Sequence, residues 1–413
     1  MEPIALVGGM LIDGVSEEPT RNGAILIKDG YIKRVSRRAR APRGCHKVDA
    51  SGQTILPGLI DAHVHLCLNG EANYEELVLK EPLALMAIKA AVYAQRLLRA
   101  GFTTVRDMGA PGLLAISLRR AIEKGLIAGP RIVAAGQIIT STGGHADFIP
   151  FGLWKEGDGL GRIADGPAEI LRAVREQLKA GADCIKFCAT GGVLDPQTEP
   201  GLQEYSEEEM RVLIAEAHKA GKRVAAHAQG TEGIKAALRA GVDTIEHGIF
   251  LDEEAVSLMV ERGVYFVPTL SAPYNLLRHG KRAELPQYAI RKAEEVKEAH
   301  IRSLRMALEA GVRIAAGTDA GTPFNYHGDN ALELELLVAN GMTPMAAIQA
   351  ATCRAAEALG LGERVGSIEQ GKLADILVVQ GDPLEDISLL RQRERISLVL
   401  KGGLPVGGTA DGR

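Results

Sequence analysis

Along the middle of the chain, charged amphipathic stretches stop again and again at a glycine and give way to short apolar runs. Arg99-Ala100-Gly101 precedes 102–107, Lys179-Ala180-Gly181 precedes 182–187, and Lys219-Ala220-Gly221 precedes 222–227. Arg239-Ala240-Gly241, Glu261-Arg262-Gly263 and Glu309-Ala310-Gly311 repeat the arrangement before 242–247, 264–269 and 312–319. Each reads as a helix ended by a Gly able to take the left-handed conformation just past its last turn, followed by a strand. The stretch after Pro167 places Ile170, Leu171, Val174 and Leu178 on one stripe, with Arg172, Arg175, Glu176 and Lys179 opposite. Ser206 and Glu209 form a capping box ahead of Met210, Leu213 and Ile214.

Near-continuous apolar strands alternating with such helices imply a parallel sheet covered by helices. Strands are predicted near 54–61, 102–107, 131–135, 184–188, 224–227, 244–247, 265–268 and 314–318. Eight β–α units argue for a closed barrel, so the expected class is α/β, a (β/α)8 TIM barrel. The ends of the chain read differently. Residues 24–32 spell strand, Asp29-Gly30 turn, strand, and short strands recur at 366–368, 374–379 and 397–400. Neither end makes a sound sheet alone, so both are expected to join in one small β-sandwich domain. The predicted division is 1–57 and 361–413 for the sandwich and 58–360 for the barrel, with Pro57-Gly58 as the passage between them.

Composition narrows the function more than the fold. At 413 residues the chain can bury a large core, and a net charge of −4 gives no reason to expect nucleic acid or an anionic membrane as partner. The start, Met1-Glu2-Pro3-Ile4, shows no signal-peptide pattern, and no apolar run is long enough to span a bilayer. Five cysteines (Cys45, Cys67, Cys184, Cys188, Cys353) lie among apolar residues and suit reduced thiols in a cytoplasm. Cys184 and Cys188 could be a metal pair, but their apolar strand favours a core role.

Barrel active sites lie at the C-terminal ends of the strands. Read there, strand one gives His63 and His65, strand two Arg106-Asp107, strand four Lys186, strand five His227, strand six His247 and strand eight Asp319. His63 and His65, two apart, point to one side and can grip one metal. Of ten histidines, four sit at strand ends, while His218, His279 and His300 are expected on helix surfaces. Glu246, beside His247, is expected on the opposite face in a structural role.

These segments together resemble the amidohydrolase superfamily with a binuclear metal centre, most closely its dipeptidases, carboxypeptidases, prolidases and related amide hydrolases. The resemblance is carried by PGLIDAHVHL (57–66), TSTGGHAD (140–147), IKFCATGGV (185–193), VAAHAQGTEGI (224–234), TIEHG (244–248), GTDAGTP (317–323), AATCRAAEALGL (350–361) and GKLADILVV (371–379). It implies that His63, His65 and Asp319 hold one divalent metal, and that His227 and His247 hold a second. Lys186 would carry a carbamate, formed with carbon dioxide, whose oxygens bridge both ions; zinc is the expected metal. A Lys at a partly buried strand end can lose its proton and react as an amine. Two metals bridged by a water lower its pKa and polarise the scissile carbonyl. Asp319 would shuttle the proton to the leaving amine.

Bland readings stand beside these. Lys186 could pair with an acid, and Asp319 could cap a helix. His145, after Gly143-Gly144, could polarise a carbonyl, bind substrate or order its loop. His327 suits substrate contact or packing at the barrel mouth, and Gln229 should face the pocket and tune recognition of a substrate carboxylate. Phe148, Phe151 and Trp154 within 145–165 could form an aromatic wall, a lid or an oligomer contact. The expected activity is hydrolysis of an amide or peptide bond in a small molecule, a dipeptide or N-acyl amino acid losing its C-terminal residue. A mononuclear cyclic-amide hydrolase or deaminase of the imidazolonepropionase kind is the alternative, and a metal-free structural homologue is the non-enzyme one. The resemblance also implies a homo-oligomer.

Overall fold

All six glycine stops adopt positive φ in the computed structural model, Gly181 and Gly241 both at +99°. A Cβ is disfavoured in that conformation, so Gly at these points lets each helix turn directly into the next strand. The structure describes residues 2–38, 42–73, 78–148, 159–280 and 285–408. The helix Gly166–Ala180 begins with a proline in its first turn, and Ser206 closes the capping box with Glu209 ahead of Glu207–Lys219.

Eight barrel strands follow in order: Leu59–Val64, Phe102–Asp107, Arg131–Ala134, Cys184–Cys188, Arg223–Ala228, Thr244–His247, Tyr265–Val267 and Arg313–Ile314. The first three pair in parallel, as do the last five. Between the third and fourth, the Asp183 amide donates to the Ala134 carbonyl at 2.7 Å. The third strand then breaks and resumes as Ile138–Thr140, which meets the fourth at Phe187. The last strand continues past its short ladder. The Ala62 amide donates to Ala316 O at 2.9 Å and the Asp319 amide to His63 O at 2.7 Å, closing the barrel on the first strand.

The predicted strand 54–61 is two strands in the structure. Gln53–Pro57 belongs to a five-stranded sheet with Met10–Leu11, Ile376–Gln380, Ile396–Lys401 and Leu404–Gly407. The chain turns into the barrel at Gly58, whose amide donates to Asp375 O. A Cβ on Gly58 would fall 2.3 Å from the Thr103 hydroxyl oxygen, so the crossing leaves room for no side chain. A four-stranded sheet of Ile4–Val7, Ala24–Lys28, Tyr31–Ser36 and His46–Asp49 completes the β-sandwich. Leu6, Ile25, Ile32, Ile55, Ile376 and Leu400 fill its interior. The antiparallel pairing of 53–57 with 376–380 joins the two chain ends and sets the sandwich against the barrel. Arg131, on the third barrel strand, donates to Asp375 at 2.6 Å across the contact.

Candidate metal centre

The barrel strands deliver their last residues to one mouth, and four predicted histidines meet there. Ring centroids of His63 and His65 lie 5.4 Å apart, His63 and His247 5.1 Å, and His227 and His247 4.5 Å. Asp319 joins from the eighth strand. Its Oδ1 lies 3.4 Å from His63 Nε2 and 3.3 Å from His65 Nε2. Ligand atoms of His63, His65 and Asp319 all fall within 4.8 Å of one another, so the three can hold one ion. His247 and Asp319 have φ of +71° and +59°. Such conformations are costly for residues with a Cβ and are kept where surroundings fix them, commonly at functional sites.

Each imidazole is held by one nitrogen and leaves the other for the cavity. His63 Nδ1 lies 2.7 Å from Glu246, His65 Nδ1 3.0 Å from Gly109 O, His247 Nδ1 2.7 Å from Thr269 Oγ1 and His227 Nε2 3.2 Å from Gly191 O. Partners of this kind fix tautomer and ring orientation in metal-binding histidines. Burial disfavours charge on all four rings, bringing His63 down to about 4 and His227 and His247 well below their ordinary value. At His65 burial acts the same way, but Asp319 outweighs it and raises the pKa. Burial would push Asp319 up, yet the surrounding histidines hold it far below the usual carboxylate range.

Lys186 is 2 % exposed, and its Nζ has no hydrogen-bond partner among the described residues. Burial lowers its pKa. A buried amine without an acceptor is costly, and here it stands among inward-facing imidazoles and a carboxylate. The donor set therefore fits a divalent metal at His63, His65 and Asp319, with Lys186, His227 and His247 lining the same cavity.

Glu246 corrects the sequence reading. It lies inside the barrel, fully buried, because the left-handed turn at His247 breaks the alternation that would have sent the two side chains to opposite faces. Its carboxylate accepts from His63, from Arg106 Nη2 at 2.7 Å and from Thr244. Arg106 also donates through Nε to Ala62 O at 2.6 Å. Burial would raise the Glu246 pKa, but Arg106 and His63 hold it well below the carboxylate range. Asp61 braces the other side, accepting from the His63 amide, Thr318 and Asn330. Asp61 and Thr269 were not predicted, and Arg106 was placed at the end of strand two without a role; a charged residue within an otherwise apolar strand was the available signal for Asp61.

His300 is also corrected. It is 2 % exposed and lines the cavity instead of a helix surface, because its helix, Gln287–Glu309, lays that face against the barrel mouth. His218 and His279 are exposed as expected. The structure does not bring His327 to the cavity. Its ring stacks on Tyr93 at 5.3 Å and Nε2 meets the carbonyls of His65 and Leu68, which packs the mouth. His145 and Gln229 do line the cavity, and Gln229 Oε1 is buried with no partner among the described residues. The cleft has Ile138, Phe148, Leu160, Leu194, Ile249 and Leu276 on its walls. Phe151 and Trp154 lie outside the described residues. Cys184 and Cys188 pack into the apolar core, and all five cysteines are free thiols. Among the described residues, no helix is long and apolar enough to cross a membrane.

Known proteins resemble this chain in sequence and in fold. The sequence model of the amidohydrolase family matches residues 54–406. An ochratoxinase of Aspergillus niger is 33% identical over 427 residues, covering 96% of this chain and 85% of the relative. A Xaa-Pro dipeptidase crystallised with methionine in its active site superposes with a TM-score of 0.89 at 39% identity, over 98% of this chain and 99% of that one. A prolidase complexed with N-methylphosphonate-L-proline superposes at 0.90 with 34% identity, over 98% and 99% of the two chains.

Proposed function

The chain belongs to the amidohydrolase family and is a hydrolase of amide bonds, and on that premise we propose a binuclear metal-dependent enzyme that cleaves a dipeptide or N-acyl amino acid to release its C-terminal residue. The observation that carries the binuclear reading is the buried Lys186 Nζ, without a hydrogen-bond partner among the described residues, which stands among four inward imidazoles and Asp319. His63, His65 and Asp319 would hold one ion, His227 and His247 the other, with Lys186 bridging as a carbamate. When bound, the metals, taken as zinc, supply Lewis acidity and lower the pKa of a shared water.

The chain's own groups do the rest. Asp319 turns Oδ1 to His63 and His65, which leaves Oδ2 to take a proton from the attacking water and pass it to the leaving amine. His145 lines the cavity above His227, where it hydrogen-bonds the substrate through Nε2. Gln229, whose buried amide oxygen has no partner among the described residues, offers its amide to a polar end of the substrate. The apolar walls shed water from the reacting bond and receive the substrate's side groups. The similarity to dipeptidase, prolidase and ochratoxinase structures supports small amide substrates over large ones.

The reading extends to a homo-oligomer in a reducing cytoplasm. Leu85, Ile88 and Val92 stand exposed along the helix Leu83–Arg99, which favours contact between copies, and five free thiols suit that compartment. The test is reconstitution with zinc and bicarbonate, metal analysis, and a panel of dipeptides and N-acyl amino acids scored by released amino acid. About two ions per chain with release of the C-terminal residue is expected. One ion per chain with activity on cyclic amides would replace this reading by the mononuclear alternative, and no bound metal would sink both.

A further inference from the structure

His145 is pinned at its backbone from both sides. Its amide donates to Glu204 Oε1 at 2.6 Å and its carbonyl accepts from Thr140 Oγ1 at 2.6 Å. One ring face lies on His227, with centroids 4.2 Å apart and planes 27° apart, and Phe148 meets the ring edge-on. Gly192 backs it so closely that a Cβ there would fall 2.4 Å from Cε1 and 2.6 Å from Nδ1. These contacts leave one choice open, the roughly two-fold χ2 of the imidazole, which decides which ring edge faces the cavity.

Asp195 faces one of those edges. Its side chain is 2 % exposed, and Oδ2 lies 3.8 Å from His145 Nδ1, a nitrogen with no hydrogen-bond partner among the described residues. Oδ1 accepts from the Gln197 amide at 2.7 Å. The loop is anchored from behind by Lys292, whose buried Nζ donates to the Asp195 carbonyl at 2.7 Å and to that of Thr198. We propose that Asp195 is a positioning residue, drawing His145 Nδ1 to itself and so turning Nε2 to the substrate, with Gly192 keeping the space the ring needs. Apo contacts of this kind are often long and close when substrate is bound. The inference rests on the reading of His145 as a substrate contact.

The test is a double-mutant cycle on the zinc-loaded enzyme. His145→Ala is expected to lower kcat/KM, and Asp195→Ala to lower it by on the order of 100-fold at unchanged metal content, as for a misplaced contact group. The double variant should be no worse than His145→Ala within about twofold, because groups acting through one another are not additive. Gly192→Ala should show the same dependence on His145. Losses for Asp195→Ala that multiply with those of His145→Ala would overturn the proposal, since Asp195 would then act through its loop. A His145→Ala variant with full activity would overturn the substrate contact and the positioning together. If the wild type hydrolyses no amide, the parent reading has failed, and a crystal structure of Asp195→Ala still decides the inference. A flipped or disordered His145 ring supports it, and an unchanged ring refutes it.

Discussion

Replacing Glu246 by Gln tests how the buried charge network serves the metal site. The carboxylate accepts on Oε2 from His63 and on Oε1 from Arg106 and Thr244, all within a fully buried space. Glutamine keeps the shape but has one acceptor and one donor end. If the amide oxygen faces Arg106, the amide nitrogen faces His63 Nδ1 and demands that it accept. The proton of His63 then moves to Nε2, the nitrogen left for the metal. The Arg106 guanidinium, 1 % exposed, also loses its anion and keeps only neutral partners: the new amide oxygen, Ala62 O and Thr244. An uncompensated buried charge costs about 3–5 kcal/mol, and loss of a ligand's supporting acceptor costs roughly 10–100-fold in metal affinity. Urea unfolding of the metal-free protein reads the first effect, and zinc titration against a chromophoric chelator reads the second. A variant that binds zinc as tightly as the wild type and unfolds within about 0.5 kcal/mol of it, the range of an ordinary surface change, would refute the reasoning.

Two further outcomes follow. Lys186→Ala should retain the fold, since it removes a buried amine that no described group accepts from, yet lose bound metal and at least about 100-fold in activity by removing the bridging ligand; full occupancy at wild-type rate would reject the carbamate. Lys401 donates to Gly129 O at 2.6 Å, and burial, with the neighbouring charge of Arg131, lowers its pKa to about 8 from 10.5. Between those values the unfolded chain holds the proton more often than the folded one, so the Lys401 contribution to stability rises as pH goes from 8 to 10.5. Urea midpoints of wild type and Lys401→Met should therefore shift in favour of the wild type from pH 7.5 to pH 10, and a gap that stays constant would show that the Lys is solvated.

The helix–glycine–strand unit was legible because its cause is local. A left-handed glycine ends a helix whatever the chain does elsewhere, and apolar strands after each one leave a parallel barrel as the economical way to bury them. The residues at the strand ends, His63, His65, Lys186, His227, His247 and Asp319, could be read for the same reason, since the fold fixes which end of each strand carries chemistry. Where the backbone departs from regular alternation, the sequence reading failed. Glu246 was placed on the wrong face because the positive φ of His247, the last residue of its strand, breaks the alternation of side chains there. His300 was placed on a surface because helical spacing cannot say which neighbour covers a face, and the barrel mouth covers this one.

The sequence by itself thus determined the element order, the passage at Pro57-Gly58 and the residue types brought to the mouth of the barrel, because period, capping and turn chemistry act over a few residues. Only the tertiary structure decided how those groups are held. It sets Glu246 between Arg106 and His63, leaves Lys186 without a hydrogen-bond partner among the described residues, sends His327 into packing and turns Asp195 towards His145. These are contacts between residues tens to hundreds of positions apart, and burial, which gives each one its energy, exists only once the barrel has closed.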